Sequence, residues 1–228
     1  MLTKCDCEKC ELKSAFFQSF VETELALFCN QKVEKEYTKG ECIIREGDEI
    51  SDFSYLKSGL IKLSRYNSAG KDQIITIAEP FDFVSLLSVF SDTHYNYSVS
   101  ALEDSVICSL NLEEVKKYAM ENGLFSFNLM EKMSKTSDKI IIESLEIRNR
   151  HLRGKVAYIL LKFGVKIYSS MVFELPVSRR EIAEYIGMTT ENVIRTLSEF
   201  RKDKLIKING KEIEIADYET LEKISNFG

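Results

Sequence analysis

Glu191 and Arg195 stand four residues apart in the run TTENVIRTLSEF, so on a helix both project from one face. In the major groove of a duplex, a carboxylate can accept from cytosine N4 and a guanidinium can grip guanine O6 and N7. Ile194, between them, can press on a thymine methyl. The plainer reading of the same pair is a surface ion pair contributing about 0.3–0.5 kcal/mol. Arg179, Arg180, Lys202 and Lys207 lie on either side in sequence and suit phosphate oxygens or ordinary surface charge. A second group of reactive residues opens the chain, where CDCEKC gathers Cys5, Cys7 and Cys10. Three thiolates on one short segment, joined by a distant fourth, suit an iron–sulfur cluster or zinc. Cys29 and Cys42 read as ordinary buried cysteines. There is no Ser-His-Asp set, GxGxxG, Walker loop or HExxH motif, and the only histidines are His94 and His151. So little acid–base equipment argues against an enzyme.

The elements that must hold Glu191 and Arg195 are legible around them. Ser178, with Glu181 three residues on, forms a capping box and starts a helix. Ile182, Ala183 and Ile186 are its apolar stripe, and Gly187 supplies the left-handed stop of a tight helix–helix turn. Thr189 caps a second helix with Val193, Leu197 and Phe200 inward. Its outer face carries Thr190, Glu191, Ile194, Arg195 and Ser198, a mixture that no core needs. LIKI-NG-KEIEI then predicts two alternating strands about a type I′ turn at Asn-Gly. Two short helices followed by a hairpin predict a winged helix-turn-helix.

Upstream, Val33 to Leu110 contains short apolar or alternating runs punctuated by Gly40, Gly47, Gly59 and Gly70, the pattern of an antiparallel sandwich or barrel. Val21 to Phe28 reads as a short helix before it. Phe125 to about Arg150 holds neither Gly nor Pro and reads as one long helix. Its Met130, Met133, Ser137, Ile140, Ser144 and Ile147 form a heptad seam, with Leu129, Ile142 and Leu145 as a second apolar face. Two apolar faces predict a helix held between its own domain and a partner copy, hence a parallel homodimer. The expected division is 1–124 as sensor domain, 125–150 as dimerisation helix and 151–228 as DNA-binding domain.

The chain has 228 residues and a net charge of -5. His151 to Lys211 nevertheless carries 12 Lys and Arg against 6 Asp and Glu, leaving the rest of the chain near -11. Such asymmetry fits one module that docks on phosphates and another that stays off them. No apolar run approaches the roughly 20 residues of a membrane span. The N-terminus has no signal-like apolar region, so a cytoplasmic protein with reduced or metal-bound cysteines and no membrane partner is expected.

KGECIIREGDEISDFSYLKSGLIKL resembles the β-roll signature of the Crp/Fnr transcription regulators, and IAEYIGMTTENVIRTLSEF resembles their recognition segment. The resemblance covers nearly the whole chain. It implies an α+β protein with an N-terminal double-stranded β-helix of the cyclic-nucleotide-binding type, a long dimerisation helix and a C-terminal winged helix-turn-helix. It also implies a homodimer bound to double-stranded DNA at an inverted repeat, and RNA polymerase as a partner if the protein activates. The family's matching Glu and Arg read bases, implying a G·C-containing core in each half-site, while Thr190 stands where relatives vary. The rival reading is a β-roll module that binds a ligand or protein without touching DNA.

The family's cyclic-nucleotide binders use a Gly-Glu pair for the ribose and an Arg-Ser pair for the phosphate. The corresponding stretch, PFDFVSLLSVFSDTHYNYSVSALE, has no such Gly-Glu, and the arginine position falls on Asn96 or Tyr97 before Ser98. A pocket without a cation has little to hold a phosphate, which argues against cyclic AMP. Phe83, Ser85, Tyr95, Tyr97 and Ser98 are the candidate effector-pocket residues, with the core as the other fate of the aromatics. His94 is the residue a haem would have to use. Cys108 aligns with the distant cluster ligand of the oxygen-sensing Fnr branch, and Cys7 and Cys10 resemble two of its three N-terminal ligands. The third aligns near Phe16, so Cys5 would have to substitute at a tighter spacing. At Cys5, Cys7, Cys10 and Cys108 a [4Fe–4S] cluster, zinc or a thiol switch, and no metal role all stay open.

Overall fold

A computed structural model describes residues 32–66, 72–84 and 88–227. Cys5, Cys7, Cys10, Cys29, the helix expected over 21–28, Gly70 and Ser85 lie outside the described residues. The described residues form two units, one of 32–66 with 75–139 and the other of 72–74 with 140–227.

The first unit is built on strands β1 (Val33–Tyr37), β2 (Cys42–Ile44), β3 (Asp52–Ser58), β4 (Ile61–Tyr66), β6 (Ser98–Ala101), β7 (Ser105–Asn111) and the greater part of β5 (Asp72–Ala78), whose residues 72–74 count with the second unit. They form two sheets, ordered β1-β7-β3 and β2-β6-β4-β5. β7 lies antiparallel between β1 and β3, and β6 antiparallel between β2 and β4. Late strands thus insert between early ones, which is how a roll differs from a meander. Tyr55, Leu56, Ile61, Val84 and Val99 are buried in its core. Cys42, expected to be buried, is exposed on the short edge strand β2. An edge strand three residues long leaves its first side chain uncovered.

α1 (Leu112–Glu121) is capped by Asn111, whose side chain accepts from the Glu114 amide at 3.1 Å. α2 (Gly123–Asn149) follows, with the Asn122 side-chain oxygen accepting from the Phe125 amide at 3.0 Å. The seam expected on α2 is rotated. Phe125 and Leu129 are buried, and Met133 packs against the same core, so the i, i+4 row that includes Met133 faces inward. Ile147 is buried as well. Ile142 and Leu145, expected to face the protein's own core, are instead about half exposed, at 56% and 48%. The outward row passes through Phe127, Met130, Ser134, Ser137, Ile141 and Ser144, all exposed. It keeps alternating three- and four-residue steps.

The second unit contains α3 (Leu152–Leu161), a π-helical turn over Lys162–Ile167, β8 (Val172–Glu174), α4 (Arg179–Ile186), α5 (Thr190–Lys202), β9 (Ile206–Asn209), β10 (Glu212–Ile215) and α6 (Tyr218–Phe227). The hairpin β9–β10 is present, with two corrections. β8 joins it on the far side, giving the order β8-β10-β9; three residues of apolar–polar alternation were too few to read as a strand. The turn is also displaced by one residue. Asn209 still pairs with Glu212, so the turn residues are Gly210 and Lys211. Only Gly210 of these has positive φ, at 62°, which fits a type II′ turn and not the expected type I′.

Candidate nucleic-acid interface

α4 begins as its residues dictate. The Ser178 hydroxyl accepts from the Glu181 amide at 3.2 Å and the Glu181 carboxylate accepts from the Ser178 amide at 2.8 Å. This capping box satisfies two amides that the first turn would otherwise leave unpaired. The helix ends at Gly187 in the left-handed region, φ 67°, a conformation that costs other residues their Cβ clearance. The chain turns there and re-enters helix at once. Thr189 caps α5, accepting from the Asn192 amide at 3.3 Å. Val193, Thr196, Leu197 and Phe200 are buried; Thr196 is the one member of this face that the apolar pattern does not mark.

Two features fix α5 on the unit. The Arg153 guanidinium from α3 donates to Asp203 at 2.8 Å and to Glu199 at 3.4 Å, and lies 5.1 Å from the centroid of Phe200. At the C-terminal end of α5, Lys204 adopts φ 61° while the Leu205 amide donates to the Phe200 carbonyl at 2.9 Å. That is a left-handed helix stop made with a lysine where glycine is the relaxed choice. Lys204→Gly is therefore expected to raise stability by about 1 kcal/mol, read as a higher denaturant midpoint.

The outer face of α5 is intact. Glu191, Ile194, Arg195 and Ser198 are exposed and Thr190 is half-buried. Glu191 and Arg195 do not pair with each other. Arg195 Nη2 donates to Asn192 Oδ1 at 2.9 Å, and its Nε is 4.0 Å from Glu199. The Glu191 carboxyl is held below the usual carboxylate range by a hydrogen bond from its own backbone amide and then by the Thr189 hydroxyl. It is a charged acceptor on the first turn of α5, where the helix dipole favours an anion. Asn192 was missed in the sequence, although its i, i+3 relation to Arg195 was the available signal. The Ile194 side chain, half exposed at 50%, stands between the acid and the base.

The four flanking cations differ. Arg179 is half-buried, and burial lowers its guanidinium pKa. Arg180 is exposed and pairs with Glu184 at 2.8 Å. Lys207 pairs with Glu214 across the hairpin at 2.8 Å. Lys202 is exposed at the end of α5.

In the first unit, the candidate effector residues Phe83, Tyr95 and Tyr97 all join the buried core, and Tyr95 and Tyr97 meet edge to face at 6.2 Å. The Ser98 hydroxyl accepts from the Glu46 amide at 3.0 Å. His94 is exposed, its Nδ1 2.9 Å from the Thr93 hydroxyl.

Cys108 lies on β7 in a cross-strand row with Glu34 of β1 and Tyr55 of β3. It is fully buried and its thiol donates to Glu34 at 3.4 Å. Glu34 is itself bound by Lys57 at 2.9 Å and by Lys32 at 3.5 Å. Burial pushes the thiol up to about 12, so it is a neutral donor at physiological pH. Site-resolved alkylation of the native protein should modify exposed Cys42 well ahead of Cys108. Equal rates would show that Cys108 is accessible as a thiolate. Among the described residues, no group of three or more His, Cys, Asp or Glu side chains could hold a metal ion. None of their helices is long and apolar enough to cross a membrane.

Two family descriptions match separate parts of the chain. Residues 34–122 match the family described as cyclic nucleotide-binding domain, and residues 154–224 match the Crp-like helix-turn-helix domain. The transcriptional activator protein Anr of Pseudomonas protegens is 27% identical over 183 residues, 78% of this chain and 75% of the relative. The fumarate and nitrate reduction regulatory protein of Escherichia coli is 25% identical over 195 residues, 84% of this chain and 78% of the relative. Among solved structures, FixK2 from Bradyrhizobium japonicum superposes with a TM-score of 0.74 at 21% identity, covering 86% of this chain and 98% of that one. A regulator from Eubacterium rectale superposes with a TM-score of 0.76 at 18% identity, covering 92% and 97%. The structural likenesses speak for the fold.

Proposed function

This chain belongs to the Crp/Fnr transcription regulators, and from that premise we propose that it reads an inverted repeat in double-stranded DNA as a homodimer. The observation that carries the reading is the outer face of α5. A capped helix on a rigid inner face presents Glu191, Ile194 and Arg195 outward, with the guanidinium steadied by Asn192.

In the groove, Arg195 grips guanine O6 and N7, Glu191 accepts from cytosine N4, and Ile194 lies against a thymine methyl. Thr190, Arg179, Arg180, Lys202 and Lys207 serve the adjoining backbone and bases. Arg180 and Lys207 would exchange a carboxylate for a phosphate, which lowers the net gain from each. The division follows as sensor over 1–124, dimerisation helix over 125–150 and DNA-binding domain over 151–228. The exposed row Phe127, Met130, Ser134, Ser137, Ile141 and Ser144 is the seam that meets the second copy. RNA polymerase is the further partner if the protein activates, and the cytoplasm is where such a regulator meets DNA.

The effector is a redox, gas or small-molecule signal received by the roll. The absence of an arginine at Asn96 or Tyr97, with Tyr97 in the core, supports the reading against cyclic AMP. His94 carries too little to argue for haem. An iron–sulfur cluster or zinc would draw on Cys5, Cys7, Cys10 and Cys108. A ligating thiol must be deprotonated, so Cys108 would have to give up the proton that it donates to Glu34.

A gel shift with genomic fragments, beside size-exclusion chromatography of the free protein, tests the reading. A dimer that retards a subset of fragments supports it. A folded protein that retards none would favour the β-roll module without DNA binding.

A further inference from the structure

The second unit buries a charge where an apolar residue would pack. The Glu143 carboxylate, on α2, lies 9% exposed at the point where α2 meets α3. One of its oxygens, Oε1, accepts from the Tyr158 hydroxyl at 3.0 Å and from the Lys162 ammonium. Lys162, 4% exposed, opens the π-helical turn after α3 and donates also to the Tyr185 hydroxyl at 2.7 Å. Tyr185 is on α4, the first helix of the helix-turn-helix. The chain of bonds therefore runs from α2 through α3 and the π turn to α4, all within one unit. Arg150 and Lys166 lie over the Tyr158 ring, at 4.5 Å and 5.6 Å from its centroid.

Apolar packing alone would hold these helices together without fixing their rotation. A Leu–Met contact tolerates sliding, whereas the bonds on one carboxylate oxygen and one ammonium are directional. A buried ion pair is weak evidence for stability, because apolar side chains of similar size pack there as well. A π turn is a local departure from α-helical hydrogen bonding that frequently accompanies function, and this one carries the lysine that completes the set.

We propose that Glu143, Lys162 and Tyr185 are positioning residues that lock α4, and α5 behind it, at one angle to α2, and so determine the half-site spacing that the dimer accepts. The inference rests on the DNA-binding reading above. In a two-fold dimer the two copies of α5 are separated by whatever angle each makes with the dimer helix. Adjacent base pairs rotate a half-site around the duplex, so a fixed angle admits one spacing and rejects its neighbours.

The test uses the full-length protein and inverted repeats that share one half-site sequence and differ by single base pairs in spacer length. The variants are the apolar pair Glu143→Leu with Lys162→Met, and Tyr185→Phe, which removes one hydroxyl. Wild type is expected to prefer its best spacing over the next by about tenfold or more. The double variant should remain dimeric, unfold at most slightly earlier than wild type, and show that preference reduced to about threefold or less. Tyr185→Phe, which should fold whatever becomes of the double variant, should fall between. A merely structural role would weaken binding to all spacings equally and leave the ratio unchanged. A folded variant with the wild-type ratio overturns the proposal. If wild type binds no duplex at all, the functional reading fails first and takes this inference with it.

Discussion

Glu143→Ala should lower the free energy of unfolding by about 3–5 kcal/mol, the cost of leaving a buried charge without its partner. Lys162 is 4% exposed, and the Tyr185 hydroxyl, to which it donates at 2.7 Å, is a dipole that cannot replace an anion. The Tyr158 hydroxyl loses its acceptor in the same step. Glu143→Leu combined with Lys162→Met should recover most of the loss, since the apolar replacement removes both charges. Urea denaturation followed by circular dichroism is the measurement, the chain having no tryptophan. A single variant as stable as wild type would mean that the pair is open to solvent.

Neither partner of that pair could be read from sequence. Glu143 follows Ile140, Ile141 and Ile142 in a helix that carries other glutamates, and Lys162 follows an apolar run, VAYILL, without any local sign that its ammonium is buried. Their meeting depends on a 19-residue separation and on a π turn that has no composition signature. What was legible has local causes. The Ser178–Glu181 box, the Gly187 stop, the Thr189 cap and the inward row Val193, Leu197 and Phe200 all act within one or two turns. The α2 seam keeps Met130, Ser137 and Ser144 on the outward row but not Met133 or Ile147, for the same kind of reason. Met133 satisfies a heptad with Met130 on paper, but which row turns inward is decided by Phe125 and Leu129 meeting the roll, a contact between distant parts of the chain. In the strands, alternation marked the roll but could not say that β7 would insert between β1 and β3. At Cys108 the sequence offered a thiol, and only the fold shows Glu34 beside it, itself bound by Lys57.

Arg195→Ala should weaken binding to the preferred site by about 1–3 kcal/mol, roughly 5- to 150-fold, with much less change on random duplex. The guanidinium is exposed and oriented by Asn192 at 2.9 Å, so truncation leaves the fold of α5 intact and removes only what the side chain reads. Glu199, 4.0 Å from it, offers a surface ion pair that contributes little and does not compete with bidentate recognition. Asn192→Ala should produce a smaller loss on the same site by freeing the guanidinium to other rotamers. Titration by fluorescence anisotropy at fixed salt gives both numbers. Equal losses on preferred and random duplexes would make Arg195 a phosphate contact, and the salt dependence would then shallow as well.

The central claim is that two copies of α5 read sequence. Selection from a pool of random duplexes with the purified wild-type protein tests it most directly. The account predicts enrichment of an inverted repeat with a G·C pair in each half-site, at half-sites about one to two helical turns apart, and loss of that G·C pair from the pool selected by Arg195→Ala. A wild-type pool that stays random after repeated rounds, or one enriched in sequence unchanged by the Arg195→Ala substitution, would contradict it.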